Sequence, residues 1–141
     1  MQKNREAWDN FTKNNPIIWK ENCILCDYPK NKDDKELVLK NFDYWIVIYN
    51  KYPYWWTKDH LLAFPKRHIE LTKDLNNEEL KDLKNVNTFI NDYFKNKDYF
   101  SFLRETYSGR SIAHLHYHYL PGKIFSEDIT NILKKQKIWE T

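Results

Sequence analysis

The spacing of apolar residues along the chain predicts one long helix and two shorter ones. Between residues 77 and 95, apolar side chains recur at steps of three and four, which is the repeat of an amphipathic helix. Helical spacing also covers residues 5–13, with Pro16 shortly afterwards, and residues 127–139. The apolar positions of the long helix are Leu80, Leu83, Val86, Ile90 and Phe94.

Shorter apolar segments, rich in aromatic and β-branched residues, predict strands. They cover residues 37–39, 42–49, 60–64, 98–104 and 111–120, with a polar loop at 29–35 and an aromatic loop at 50–56. Successive strands around one long helix indicate an α+β fold with an antiparallel sheet of about five strands. No repeat or linker divides the 141 residues, so a single domain over residues 1–141 is expected.

Composition and charge narrow the class of protein. Aromatic residues make up 17% of the chain, so large rings can fill a core. The net charge is +3, and the charges are interspersed, which argues against a nucleic-acid-binding surface. The chain has neither a secretory signal nor a run of about 18 apolar residues. We therefore expect a cytoplasmic protein that does not enter membranes.

Two cysteines, Cys23 and Cys26, are separated by two residues and are the only cysteines in the chain. A disulfide between them is disfavoured in a cytosolic protein. The pair therefore indicates half of a metal site, a redox pair or two buried thiols. Two thiolates at this spacing can bind one Zn²⁺ from a tight turn.

Imidazoles occupy alternate positions in the apolar segment 113–120, at His114, His116 and His118. In an extended strand successive side chains point to opposite faces, so these rings would share one face at a spacing of about 7 Å. A His-rich exposed strand without chemistry is the alternative interpretation. The side chains that would pack inward are Leu115, Tyr117 and Tyr119.

Two further motifs accompany the histidine run. Gly109, Arg110 and Ser111 precede it, and the upstream segment 60–69 begins with a histidine and contains Pro65 and His68. In this order the motifs resemble the histidine triad superfamily of nucleotide-binding hydrolases and transferases, over residues 21–122. The Cys pair is similar to that of the zinc-containing branch.

The resemblance implies a structural zinc. In relatives that carry the cysteine pair, the site is completed by the histidine after the Pro-Lys segment and by the first triad histidine, which are His68 and His114 here. Four protein ligands leave no open position, so this zinc would tie the N-terminal segment to the catalytic strand. For His68, the alternative is a loop histidine that interacts with solvent or with Glu70.

The resemblance also implies covalent catalysis. His116, the middle histidine, would attack phosphorus and form a phosphoramidate that water then cleaves. His118 would lie against the phosphate or leaving group, where a protonated ring stabilises charge. Ser111 would offer a hydroxyl near the same phosphate, beside backbone N–H groups that include Gly109. A strand-edge hydroxyl is the alternative role for Ser111.

Three residues are assigned to the rest of the substrate. Asn50 stands where the family places a residue that accepts from ribose hydroxyls, although turn chemistry explains it equally well. Tyr52 belongs to an aromatic loop, from which one ring would stack on the base. Arg110 replaces a Gln common in relatives, and would bind a further phosphate on the leaving side or point to solvent.

The function implied is that of a nucleotide hydrolase or nucleotidyl transferase. Its purine nucleotide substrate would be a nucleoside polyphosphate, a dinucleoside polyphosphate such as a diadenosine polyphosphate, or a phosphoramidate, and cleavage would occur at the α-phosphate. A slow nucleotide-binding sensor or scaffold is the alternative, and a zinc module that binds nucleic acid is disfavoured because no basic cluster is present. The resemblance allows a homodimer, because relatives commonly pair through the long helix and the sheet edge.

Overall fold

The computed structural model describes residues 5–10, 22–105 and 111–137. Gly109, Arg110 and the outer parts of the two terminal helices predicted above lie outside these ranges. Residues 5–10 are helical. Three further helices follow: α1 (Lys32–Leu37), α2 (Asn77–Phe94) and α3 (Ser126–Gln136).

Five strands form one antiparallel sheet in the spatial order β1-β2-β3-β5-β4. The α+β class and the five-stranded antiparallel sheet predicted from the sequence are confirmed. The strands are β1 (Val38–Asn41), β2 (Trp45–Tyr49), β3 (Leu61–Pro65), β4 (Tyr99–Phe102) and β5 (Tyr117–Pro121).

The two central strands β2 and β3 are buried on both faces. Alternate side chains such as Trp45 and Val47 pack in the cluster that also contains Val86 and Ile90 of α2. The intervening side chains Ile46 and Ile48 belong to a second cluster. That second cluster covers the opposite face and also contains Cys23, Leu25, Leu62, Phe64 and Ile112.

Helix α2 begins at a capping box. The Asn76 side chain accepts from the Glu79 backbone N–H at 2.9 Å, and the Glu79 carboxylate accepts from the Asn76 N–H at 3.0 Å. Glu79 is buried because Arg67 also donates two hydrogen bonds to its carboxylate, at 2.7 and 3.2 Å. The long helix is thereby joined to the segment that follows β3.

The structure corrects one predicted core position of α2. Leu80 was expected on the apolar face, but it is 50% exposed. Its neighbour Glu79 points inward instead, since the bonds from Arg67 and Asn76 offset the cost of burying a carboxylate. The other four predicted positions face the core, with Leu83 partly buried.

The structure also corrects the predicted loop at 29–35, because α1 begins inside it. The Asn31 side chain caps this helix by accepting from the Asp34 N–H at 2.8 Å. None of the six helical residues is buried, so no apolar repeat marked the helix in the sequence.

The predicted strand 111–120 is regular only in its second half. Tyr117, His118 and Tyr119 pair with β3. Upstream, the Leu115 N–H donates to the Ile69 carbonyl at 2.7 Å, so the chain leaves the β3 ladder and follows the segment after it. Within the described ranges, no helix is long and apolar enough to span a membrane.

Candidate functional site

A cleft of about 480 Å³ opens on the sheet face opposite α2. His118 reaches it because this residue pairs with Leu62, whose side chain belongs to that face. The predicted residues that line the cleft are Asn50, Tyr52, Ser111, His116 and His118. The other lining residues include Tyr54 of the aromatic loop, and also Arg5, Trp8 and Arg104, which had no role in the site assigned from the sequence.

His116 is held by the backbone of its own segment. Its Nδ1 lies 2.7 Å from the His114 carbonyl oxygen. A carbonyl only accepts hydrogen bonds, so Nδ1 carries the proton in this contact. In the neutral ring the lone pair is therefore on Nε2, and this is the nitrogen that can act as a nucleophile.

The tautomer of His118 follows from a chain of hydrogen bonds that begins at Tyr54. The Tyr54 backbone N–H donates to His60 Nδ1 at 3.2 Å, so the proton of neutral His60 is on Nε2. His60 Nε2 lies 2.8 Å from His118 Nδ1 and donates to it. The proton of neutral His118 is consequently on Nε2, which is buried and has no hydrogen-bond partner in the described part of the chain. An N–H donor is thus left for a ligand.

Burial keeps both of these rings neutral. It lowers the pKa of His60 to about 3, and the positive charges of Arg5 and Arg104, with that of His116 whenever its ring is protonated, act in the same direction. Burial, followed by the neighbouring cations, also lowers the pKa of His118 far below the usual histidine range. This differs from the protonated His118 expected from the sequence. The ring offers a hydrogen-bond donor and no full positive charge.

Aromatic rings immobilise His118. The Phe102 ring is stacked on it at 4.5 Å between centroids, and the Tyr54 ring lies nearly parallel at 5.7 Å. Tyr54 also contacts His60 at 4.6 Å. The loop that follows β2 therefore supplies both the amide that orients the histidine pair and a ring that packs against it.

Asn50 and Tyr52 line the cleft, but each is engaged within the protein. The Asn50 side-chain oxygen accepts from the Tyr52 N–H at 2.8 Å, which is the turn chemistry weighed in the sequence. Its amide nitrogen lies 3.3 Å from His60 Nδ1. Tyr52 is stacked on Trp8 at 4.7 Å, so one face of the predicted base-stacking ring is covered.

The four predicted metal ligands lie together. The ligating atoms of Cys23, Cys26, His68 and His114 are all within 4.8 Å of one another. Cys23 Sγ is 3.3 Å from His114 Nδ1, and Cys26 Sγ is 3.2 Å from His68 Nδ1. A tetrahedral Zn²⁺ holds its sulfur and nitrogen ligands about 3.5 Å apart. The donor set and its spacing fit such an ion.

The surroundings of the cluster favour ligation. His114 Nε2 lies 2.7 Å from the Pro65 carbonyl and donates to it, which leaves the Nδ1 lone pair for a metal. Burial lowers the pKa of His114 to about 4, so this ring is neutral. Burial raises the pKa of the Cys26 thiol to about 11, and the hydrogen bond and charge of Cys23 act in the same direction. A metal cation would therefore have to displace the thiol proton when it binds.

His60 is the first residue of the motif at 60–69, but no role for it was predicted from the sequence, and none was predicted for Arg104. A histidine at the start of a fully apolar strand was the available signal for His60, since a buried imidazole needs partners. Arg104 carried no comparable signal.

Comparisons with known proteins identify the fold and the family. A family profile described as "Scavenger mRNA decapping enzyme C-term binding" matches residues 22–132. No curated protein sequence matches the chain. Among solved structures, it is similar to an HIT family hydrolase from Clostridium thermocellum, with 26% identity, coverage of 75% of this chain and 95% of that one, and a TM-score of 0.58.

Two other structures share the fold. One is a member of the HIT family from Bacillus subtilis, with 22% identity, coverage of 82% and 95%, and a TM-score of 0.57. The other is Plasmodium falciparum diadenosine triphosphate hydrolase, with 20% identity, coverage of 94% and 96%, and a TM-score of 0.57. The chain has the histidine triad (HIT) fold and belongs to the family described as scavenger mRNA decapping enzyme C-term binding.

Proposed function

We propose that this protein is a nucleotide hydrolase or nucleotidyl transferase that works through a covalent nucleotidyl-His116 intermediate. The main support is the 2.7 Å contact between His116 Nδ1 and the His114 carbonyl oxygen. This contact holds the proton on Nδ1, so the lone pair of the neutral ring is on Nε2 and available to attack. His118, whose neutral Nε2–H has no hydrogen-bond partner among the described residues, lines the same cleft. The hydrolase name of the Clostridium thermocellum protein supports this reaction class.

The proposed reaction has two steps. His116 Nε2 attacks the α-phosphorus, a P–N bond forms, and the bond from phosphorus to the leaving group breaks with its electron pair on the leaving group. A water or the hydroxyl of another acceptor then attacks the same phosphorus, a P–O bond forms, and the proton of the attacking oxygen passes to solvent. The P–N bond breaks, and its electron pair returns to Nε2. His118 Nε2–H and the Ser111 hydroxyl donate to phosphoryl oxygens in both steps.

We assign the metal site to zinc with a structural role. Cys23, Cys26, His68 and His114 would hold the ion, which supplies cross-linking and no catalysis because all four positions are taken by protein. Ile24 and Leu25 of the cysteine loop line the cleft. The zinc would therefore also hold one wall of the nucleotide site in place.

The test is to trap the intermediate. We expect the protein, mixed with diadenosine triphosphate or an adenosine phosphoramidate and quenched within a turnover, to gain the mass of one nucleoside monophosphate on His116. His116→Gly should bind nucleotide yet neither label nor turn over, because the attacking imidazole is removed while the other residues of the cleft remain. His118→Gln, which retains an N–H donor, should still label.

Three results would contradict this proposal: label on His118, turnover by His116→Gly, or tight nucleotide binding without label. The last of these would favour the slow sensor.

A further inference from the structure

Cations dominate one side of the cleft. Among its described lining residues there are four cationic side chains and a single carboxylate, Asp34. Asp34 and Lys30 lie beside the cysteine loop, where the Asp34 carboxylate accepts from the Lys30 N–H and Lys30 Nζ donates to the Cys23 carbonyl. The other cations, Arg5, Lys51 and Arg104, lie on the side of the aromatic loop after β2.

Arg5 and Arg104 meet at one tyrosine beside the histidine pair. The Arg5 guanidinium carbon is 4.4 Å from the centroid of the Tyr54 ring. Both Arg104 Nη atoms lie 3.5 Å from the Tyr54 hydroxyl oxygen. The same Tyr54 ring also contacts the His118 ring. Both guanidinium groups lower the pKa of His60 and His118, so their charges are felt at the candidate catalytic rings.

Among the described residues, neither guanidinium group pairs with a buried carboxylate. Arg104 has no carboxylate partner among the residues that the structure describes, and its bonds to Tyr54 are long. Arg5 pairs with Asp9 four residues later, but the Asp9 side chain is 56% exposed, and surface pairs of this kind are weak. Both side chains can therefore give donors to an anion that enters the cleft.

The α-phosphate alone does not account for two arginines. In the proposed reaction the His118 N–H and the Ser111 hydroxyl donate to the α-phosphoryl group, and a nucleoside is uncharged. The apolar part of the cleft, with Ile24, Leu25 and Tyr28, lies at the cysteine loop and suits a base. A further phosphate is the ligand whose charge and oxygen atoms match guanidinium groups on the other side.

We propose that Arg5 and Arg104 are specificity-determining residues that bind phosphates beyond the α-phosphate. The substrate is then a nucleoside polyphosphate or dinucleoside polyphosphate in preference to a phosphoramidate. This inference rests on the proposed function, and it adds a role for the N-terminal helical residues 5–10, which precede the family match at 22–132.

Binding measurements test this proposal independently of turnover. The dissociation constants of ATP and AMP are compared by calorimetry for the unmodified protein, Arg5→Gln, Arg104→Gln and the double variant. We expect ATP to bind more tightly than AMP. Each substitution should raise the dissociation constant of ATP by about 10-fold, the loss typical of one charge-assisted contact, and should change that of AMP little. Arg104→Lys should weaken ATP less than Arg104→Gln, because a charge remains without the planar fork.

Lys58→Gln is the matched control, since Lys58 is an exposed cation on the loop that carries Tyr54 and does not line the cleft. Circular dichroism of each variant checks that it is folded. The proposal is overturned if the double variant keeps the preference for ATP, or if ATP and AMP lose affinity equally, which would place the arginines at the α-phosphate. A preference that depends on the arginines, in a protein that never labels His116, would sustain this proposal and reject the catalytic one.

Discussion

Single hydrogen bonds decide which nitrogen atoms the histidines present to a substrate. His116 and His118 are two residues apart, yet their tautomers are opposite, because one donates through Nδ1 to a carbonyl and the other accepts at Nδ1 from His60. The neighbouring rings therefore offer a lone pair and an N–H donor. A nucleophile and a donor can both act on one phosphoryl group.

Replacing His60 should reduce turnover without abolishing the intermediate. In His60→Phe the donor to His118 Nδ1 is lost, so the His118 proton is no longer confined to Nε2. We expect kcat to fall at least about 10-fold with little change in KM. His60→Gln, which places an N–H near the position of Nε2, should recover part of the loss.

Nitrogen-15 NMR of the imidazoles measures the cause directly. The His118 ring should be the Nε2–H tautomer in the unmodified protein and a mixture in His60→Phe. An unchanged His118 tautomer in that variant would contradict a positioning role for His60.

Three separate elements converge on the metal cluster. The turn before α1 supplies two cysteines, the segment after β3 supplies His68, and the segment before β5 supplies His114. The same turn carries Ile24 and Leu25 into the cleft. A metal bound at this cluster would therefore also hold Ile24 and Leu25 in place in the cleft.

Removing one cysteine should release the metal and disturb the cleft. We expect about one zinc per chain in the purified protein and much less in Cys26→Ser, because a three-ligand site with an exchanged donor binds weakly. The variant should also melt at a lower temperature and show a higher KM. Metal analysis, thermal unfolding and kinetics measure these effects.

Asp27→Asn is the control on the same turn. Asp27 has a φ of 55°, which Asn tolerates, and it is not among the clustered ligands. It should keep its metal. A metal-free but stable and active unmodified protein would rule out the site.

At the scale of the whole molecule, the two faces of the sheet have different roles. One face packs against α2 and forms a core, while the other carries the cysteine loop and the cleft. Arg67 and Glu79 join the helix on the first face to the segment that contains His68 and Ile69. Because the Ile69 carbonyl accepts from Leu115, this link extends to the histidine segment. The single domain, the homodimer and the cytoplasmic location stay predictions.

Glu79→Ala should destabilise the fold as a whole. It removes the carboxylate half of the capping box, in which Glu79 accepts from the Asn76 N–H, and it leaves Arg67 without its carboxylate partner. The Arg67 side chain is 50% exposed, so water can still hydrate its guanidinium. We expect a loss of about 2–4 kcal/mol in the free energy of unfolding. Urea unfolding followed by circular dichroism measures it.

Glu78→Ala is the matched control, since Glu78 is an exposed acid in the same first turn of α2. It should cost at most about 1 kcal/mol, the effect of a charge near a helix N-terminus. Equal losses in both variants would show that Glu79 acts only through the helix dipole.

Much of the fold was predictable because the residues that become buried recur in the sequence at the spacing of a helix or a strand. The steps of three and four predicted α2 from Asn77 onwards, and the alternation around the histidines predicted that Leu115, Tyr117 and Tyr119 face the core. Motif order, through the family resemblance, predicted four candidate metal ligands that the structure brings together. In each case, neighbours in the chain carried the signal.

Other features depend on partners that are distant in sequence. Glu79 replaces Leu80 in the interior only because Arg67 reaches it, and the histidine segment leaves the ladder only because Ile69 accepts from Leu115. The neutral His60–His118 pair joins residues 58 positions apart. Tautomers, pKa values and the arginines around Tyr54 were set when the chain folded, since each depends on burial and charges that no single segment contains.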